Sequence, residues 1–200
     1  MGMRLALYTL SDESIRKVLA DPPLILKVVA PDDPDAYGST RRERAGNLLQ
    51  RLFRKSPPPT ELTRLELGKD EGANTDLDKA WHGIHYLLTS SDGPADPPLD
   101  FIVAGGEEVG DVEVGLGPAR VFRSATVREI HEALARIDES VLRSRFNPAE
   151  MMKLSIYPDI WDRDPEEDDS FGYCLEYFKV LKDFVAQAAN ENLGLVLTLG

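Results

Sequence analysis

Residues 77–88 read LDKAWHGIHYLL and carry the clearest helical pattern in this 200-residue chain. At 100° per residue, four apolar side chains fall within about 60° of arc and predict a helix with one core-facing side: Leu77, Trp81, Ile84 and Leu88. Thr75 is predicted to open this helix, with Asp78 three residues on in the capping-box position. The helix is expected to end near Leu88, before a loop rich in serine, glycine and proline.

A polar stripe formed by Asp78, His82 and His85 follows one edge of the same helix. A carboxylate and two imidazoles in line suit acid–base chemistry or a metal site. One ion would need a further ligand such as His131, because Asp78 and His85 lie roughly 10 Å apart along the helix axis. Capping, solvent exposure and core packing also explain the three residues one by one. We therefore predict no metal site and keep Asp78 and His85 as candidate catalytic residues.

The segment GLGPAR, residues 115–120, is the second stretch whose residues could form a functional site. Its two glycines permit unusual backbone angles, and Pro118 stiffens the backbone after them. Arg120 is predicted to emerge where this loop becomes a strand, and its guanidinium could fork onto a substrate carboxylate. The structural alternative is an ion pair with one of the many acidic residues. Arg120 is the third candidate catalytic residue, and Gly117 is a candidate ligand-binding residue.

Strands and helices alternate too irregularly in this sequence for a doubly wound sheet. The pattern favours one α+β domain over residues 1–200, with a small mixed sheet packed against several helices. Short strands are predicted at residues 4–9, 101–104, 119–123 and 195–199, and the glycine-rich residues 105–117 are predicted to form a loop. Residues 32–60 are interpreted as a flexible insertion that contains a basic amphipathic helix, Arg41 to Arg54.

Composition and charge exclude several classes of function. The chain has 23 basic and 35 acidic residues, a net charge of −12, so nucleic acid is not expected as a partner. A single cysteine, Cys174, excludes an internal disulfide and a cysteine-rich zinc site. The sequence has no glycine loop of the kind that binds a nucleotide, so no cofactor is predicted. It also has no serine-nucleophile elbow. Without a signal peptide or an apolar run of about 18 residues, we expect a cytoplasmic protein that does not bind membranes.

Four pieces of the chain together resemble the YfbM-like family of bacterial proteins, a family of the domain-of-unknown-function type. They are the opening Met1-Gly2-Met3, residues 77–88, the turn at 115–120, and Tyr157-Pro158 followed by Trp161. The resemblance covers nearly the whole chain apart from residues 32–60, and it implies an intracellular α+β domain without an established activity. We hypothesise that the polar members of these segments, Asp78, His85 and Arg120, share one cleft. Candidate ligand-binding residues from these segments are Trp81, His82, Gly117, Tyr157 and Trp161.

Two classes of function remain open from the sequence. The first is a binding or interaction domain that recognises a protein partner or a small anionic ligand. The alternative is an enzyme, a transferase or hydrolase, in which His85 acts as general base and Arg120 holds an anionic substrate. An enzyme requires Asp78, His85 and Arg120 to converge in a pocket that substrate can reach.

Overall fold

A computed structural model describes residues 2–33, 65–164, 166 and 168–200. In that part of the chain, five strands form one sheet in the order β2-β1-β5-β4-β3. The strands are β1 (Leu5–Leu10), β2 (Asn74–Asp76), β3 (Glu107–Glu113), β4 (Pro118–Phe122) and β5 (Gly194–Leu199). The α+β class is confirmed. Every neighbouring pair is antiparallel, so the predicted mixed sheet is wrong.

The direction of the strands follows from where their connections begin and end. Phe122 at the end of β4 pairs with Leu195 at the start of β5, so the long helical connection returns to the same end of the strands from which it left. β3 and β4 form a hairpin, which is antiparallel by construction. A parallel pair would need a connection that runs back to the opposite end of the strands.

Seven α-helices are described beside the sheet: α1 (Asp12–Ala20), α2 (Leu26–Val29), α3 (Trp81–Thr89), α4 (Ser124–Ala135), α5 (Glu139–Arg145), α6 (Pro148–Lys153) and α7 (Ser170–Asn190). Two of these helices begin at a side-chain N-cap. Ser11 accepts a hydrogen bond from the Ser14 amide, and Asn147 accepts one from the Glu150 amide ahead of α6. Across the described residues, none of the helices combines the length and apolar character that a membrane span requires.

The segment before α3 differs from its prediction. Thr75 lies in β2, and the helical turn begins only at Asp78, with a short 3-10 turn before α3. The Asp76 carboxylate accepts a hydrogen bond from the Asp78 amide at 2.8 Å, and Asp78 adopts a left-handed φ of 43°. An aspartate side chain that bonds the backbone two residues on forms a turn, which here ends the strand before the helix can start.

Residues 101–117 also differ from their prediction. Residues 101–104 form a turn instead of a strand, and β3 occupies the stretch predicted as a glycine-rich loop. Val109 and Val112 are the buried residues of β3. Their spacing of three breaks the alternation typical of a strand, because the pairing of β3 with β4 shifts register between Glu108 and Glu113.

The sheet is covered on both faces. The larger core lies between one face and helices α3 to α7, and it includes Leu195 and Leu197 of the central strand β5. The smaller core lies on the other face beneath α1 and α2, and it includes Val196. Successive side chains of a strand point to opposite faces, so β5 supplies both cores. The predicted insertion at residues 32–60, apart from Asp32 and Asp33, and the basic helix at 41–54 lie outside the described residues.

Candidate functional site

A cleft of about 290 Å³ opens between the β3–β4 hairpin, the end of β5 and Trp81. Leu5, Leu197 and Leu199 line it from the sheet, and Leu116, which is 62% exposed, lines it from the hairpin tip. The amide of Leu116 donates to the carbonyl of Leu199 at 2.6 Å, which holds the hairpin tip against β5. The volume lies near the lower end of the range for small-molecule pockets, about 300–1,000 Å³.

The close approach of hairpin and sheet depends on glycine at position 115. Gly115 has φ of 155°, and a Cβ atom there would collide with the Leu199 carbonyl oxygen. The neighbouring Gly117 has φ of 118°, and its carbonyl accepts a hydrogen bond from the Val114 amide at 3.1 Å. Both glycines therefore shape the hairpin tip at the mouth of the cleft. Gly117, which the sequence suggested as a ligand-binding residue, lies in this tip.

Arg120 lines the cleft and clamps the turn at residues 101–105. Its Nη1 donates to the carbonyls of Phe101 (3.2 Å), Ala104 (2.6 Å) and Gly105 (3.0 Å). Its Nη2 donates to the carbonyl of Ile102 at 2.6 Å. The structural partners of this guanidinium are thus main-chain carbonyls, in place of the carboxylate that the sequence suggested.

One donor of the Arg120 guanidinium has no partner in the described structure. The hydrogen bonds to the turn come from Nη1 and Nη2, whereas Nε has no hydrogen-bond partner among the described residues. Burial lowers the pKa of Arg120, and the nearby carboxylates of Asp100 and Glu108 oppose that shift. The Nε–H is one of the donors with which a guanidinium can bind a carboxylate.

Glu108 brings a carboxylate to the same cleft. In the register of the β3–β4 hairpin, Glu108 lies directly opposite Arg120, and its side chain is exposed. In the described part of the chain, its carboxylate has no hydrogen-bond partner. Sequence reasoning missed Glu108, because a residue assigned to a loop has no cross-strand neighbour. Two acids in a row followed by two valines three residues apart were the available signal.

Trp81 forms another wall of the cleft. Its side chain is 8% exposed, and its ring stacks on those of His82 and Tyr157, with centroids 4.8 and 6.0 Å away. The indole Nε1 is buried and has no hydrogen-bond partner among the described residues. A buried donor without a partner is unfavourable by about 1–3 kcal/mol, so this N–H would gain from an acceptor.

His82 and His85 hold the loop that follows α3. Because His82 Nδ1 accepts from the Tyr157 amide at 3.0 Å, its Nε2 carries the hydrogen and donates to the Asp92 carbonyl at 2.8 Å. His85 Nε2 donates to the Gly93 carbonyl at 2.8 Å, and the residue is 0% exposed. Burial lowers the pKa of His85, which keeps its ring neutral at neutral pH.

Asp78 lies at the junction of β2 and α3. One carboxylate oxygen is 2.9 Å from Nε of Arg4, and the other accepts a hydrogen bond from the Tyr173 hydroxyl at 2.9 Å. The Tyr173 hydroxyl in turn accepts from the Lys79 amide at 3.1 Å. Burial and the Asp78 carboxylate raise the pKa of Tyr173. This arrangement anchors the start of the helix to α7.

Two further predicted residues support the structure around Trp81. Trp161 is 2% exposed, and its Nε1 donates to the carbonyl of Ile156 at 2.6 Å. Tyr157 is half-buried and precedes a cis peptide bond to Pro158. The described residues contain no group of three or more histidine, cysteine or acidic side chains that could hold a metal ion.

Comparison with known proteins identifies the family. The family model described as "Domain of unknown function (DUF1877)" matches residues 1–198. The chain belongs to the DUF1877 family. No curated protein matches it. A solved structure of YfbM from Escherichia coli, a protein of unknown function, has 15% sequence identity and a TM-score of 0.61. The match covers 98% of this chain and 99% of that chain, and at this identity it shows the fold alone.

The resemblance to YfbM predicted from the four sequence pieces is thereby confirmed. In this DUF1877 domain, three of the segments that carry the resemblance meet near Trp81: Tyr157 stacks on its ring, and Arg120 lines the same cleft. Gly117 lies in the hairpin tip, between two residues that line the cleft. Asp78, His85 and Trp161 are not among its lining residues. The three candidate catalytic residues are therefore not brought together in this cleft.

Proposed function

We propose that this DUF1877 domain binds a small ligand in the cleft between Trp81, Arg120 and the β3–β4 hairpin. The observation that carries the proposal is a guanidinium Nε and a carboxylate, both without hydrogen-bond partners among the described residues, beside a lining that is partly apolar. Sites for small molecules combine a largely apolar lining with a few polar groups that orient the ligand. Trp81 and Arg120 reach this cleft from two separate segments of the chain.

The positions of the histidines favour binding over the enzyme alternative. A general base must come within hydrogen-bond distance of the proton that it removes. His85 is fully buried and already donates to the Gly93 carbonyl, and both ring nitrogens of His82 are engaged. Catalysis through His85 would require the loop after α3 to move. Binding in the cleft requires no such change.

The two tryptophans provide a direct test by NMR. The Trp81 indole N–H lacks a partner in the described structure, whereas the Trp161 N–H is bonded to the Ile156 carbonyl, so their cross-peaks should be resolved. A library of small metabolites is added to nitrogen-15-labelled protein. Ligands in the cleft are expected to shift the Trp81 indole peak and to leave the Trp161 peak in place.

A pair of matched variants locates the binding surface. Leu116→Asp adds charge at the mouth of the cleft, and Val180→Asp makes the same change at an exposed position on α7. We expect Leu116→Asp to abolish the ligand-induced shift and Val180→Asp to preserve it. The proposal fails if no compound shifts the Trp81 peak, or if binding is equal in the two variants.

A further inference from the structure

We infer that the ligand is a zwitterion of the amino-acid type: an α-amino acid with an apolar side chain. The inference rests on the proposed function, because it assigns a ligand class to the same cleft. Two opposite charges face this cleft from neighbouring strands, Glu108 on β3 and Arg120 on β4. They form no ion pair within 4 Å in the described structure, because the turn at residues 101–105 holds the guanidinium.

The carboxylate of such a ligand fits the Nε donor of Arg120. The carbonyls of the turn accept from Nη1 and Nη2 and hold the guanidinium in one orientation. A positioned guanidinium binds a carboxylate with less loss of conformational freedom than a free arginine side chain.

The ammonium group of the ligand fits Glu108. Residues directly opposite each other on antiparallel strands have Cβ atoms about 5 Å apart, so the two charges lie on one face of the hairpin. In an amino acid the ammonium and the carboxylate are separated by a single carbon, so one molecule can reach both charges. A ligand with only one of the two groups would leave a like charge nearby unopposed.

The remaining surface and the volume limit the third part of the ligand. Leu116 and Leu199 contribute accessible apolar surface to the cleft, so the ligand's side chain is expected to be apolar. A cleft of about 290 Å³ has room for a single small molecule. A free amino acid satisfies these limits together with the two charges.

Calorimetric titration of the full chain with two sets of matched compounds tests the inference. The first set is L-leucine with isocaproate, which lacks the amine, and isoamylamine, which lacks the carboxylate. The second is L-phenylalanine with hydrocinnamate and phenethylamine. We expect at least one of the two amino acids to bind about tenfold or more tightly than its matched acid and amine, the loss expected for one charged contact.

Two isosteric variants on β3 provide the control. Glu108→Gln removes the charge that faces the cleft, and Glu107→Gln removes a neighbouring exposed charge that does not line it. We expect Glu108→Gln to weaken amino-acid binding about tenfold, to the level of the matched acid, and Glu107→Gln to leave it unchanged. Equal effects of the two variants, or equal affinities within a set, would overturn the inference.

The outcomes separate this inference from the proposed function. If none of the six compounds binds but another compound shifts the Trp81 indole peak, the amino-acid assignment is wrong and the cleft remains a binding site. If neither these compounds nor the library binds, both the assignment and the proposed function are overturned.

Discussion

Replacing Arg120 with methionine tests the clamp that shapes the cleft. Arg120→Met keeps an unbranched side chain and removes the donors to four carbonyls, those of residues 101, 102, 104 and 105. Three of these hydrogen bonds are partly buried and one is exposed. A hydrogen bond to a charged group contributes about 1.5–3 kcal/mol, less where water can replace the lost donor.

Counting about 1 kcal/mol for each partly buried bond, Arg120→Met should lower the free energy of unfolding by about 3 kcal/mol. For a chain of this length the melting temperature should fall by about 6–12 °C. The urea midpoint should fall by about 1–1.5 M with an unchanged slope. Urea unfolding and thermal unfolding, each followed by circular dichroism, measure these quantities.

Arg123→Met is the matched control. Arg123 forms an exposed ion pair with Glu107 at 3.8 Å, and such pairs contribute less than about 1 kcal/mol. Arg120→Lys, which keeps the charge but not the planar fork, should fall between wild type and Arg120→Met. If Arg120→Met and Arg123→Met lose equal stability, the carbonyl clamp does not stabilise the fold and the reasoning is refuted.

Three further predictions concern α3 and its surroundings. Gly83→Ala places a Cβ atom against the buried Trp161 ring and 2.8 Å from Cys174 Sγ. This variant should therefore lower the free energy of unfolding by about 1–3 kcal/mol, measured by urea unfolding. Gly93→Ala is the control, because no atom lies within 4 Å of a Cβ atom at that position, and its stability should not fall in this way. Because burial lowers the pKa of His85 below 6.5, the unfolded chain takes up this proton first, and stability should fall as the pH drops below about 6.5, by up to about 1.4 kcal/mol per unit. His85→Gln should flatten this dependence between pH values of about 7 and 5 in urea titrations, and parallel slopes would contradict the assignment. Burial raises the pKa of the Cys174 thiol to about 12, so a disulfide reagent should label it only after unfolding, and rapid labelling of the native protein would show that the site is open.

Local signals in the sequence mark where two of the helices begin. The Ser11 and Asn147 caps act within three residues of chain, and Pro148 takes its place at the first turn of α6. Such signals need no distant partner, so they can be read from the sequence. The cap of α4 could not be read in this way, because the Asp12 carboxylate that bonds the amide and hydroxyl of Ser124 comes from α1.

The edge strand β3 shows why part of the sheet was missed. Its seven residues include four acids and one glycine, and only Val109 and Val112 are buried. Propensity for β-structure depends on the neighbours that a strand packs against. Here those neighbours are β4 and the small core beneath α1, and β3 contacts them only in the folded protein.

The candidate site divides along the same line. Arg120 was selected as a cation that follows a glycine turn, and Trp81 as part of a segment that resembles the YfbM-like family. Their roles came from contacts across the fold: Arg120 binds carbonyls 15–19 residues earlier in the chain, and Glu108 joins the site through strand pairing. The sequence determines which side chains are present, whereas their neighbours, and with them the hydrogen-bonding groups left for a ligand, arise only when distant segments pack together.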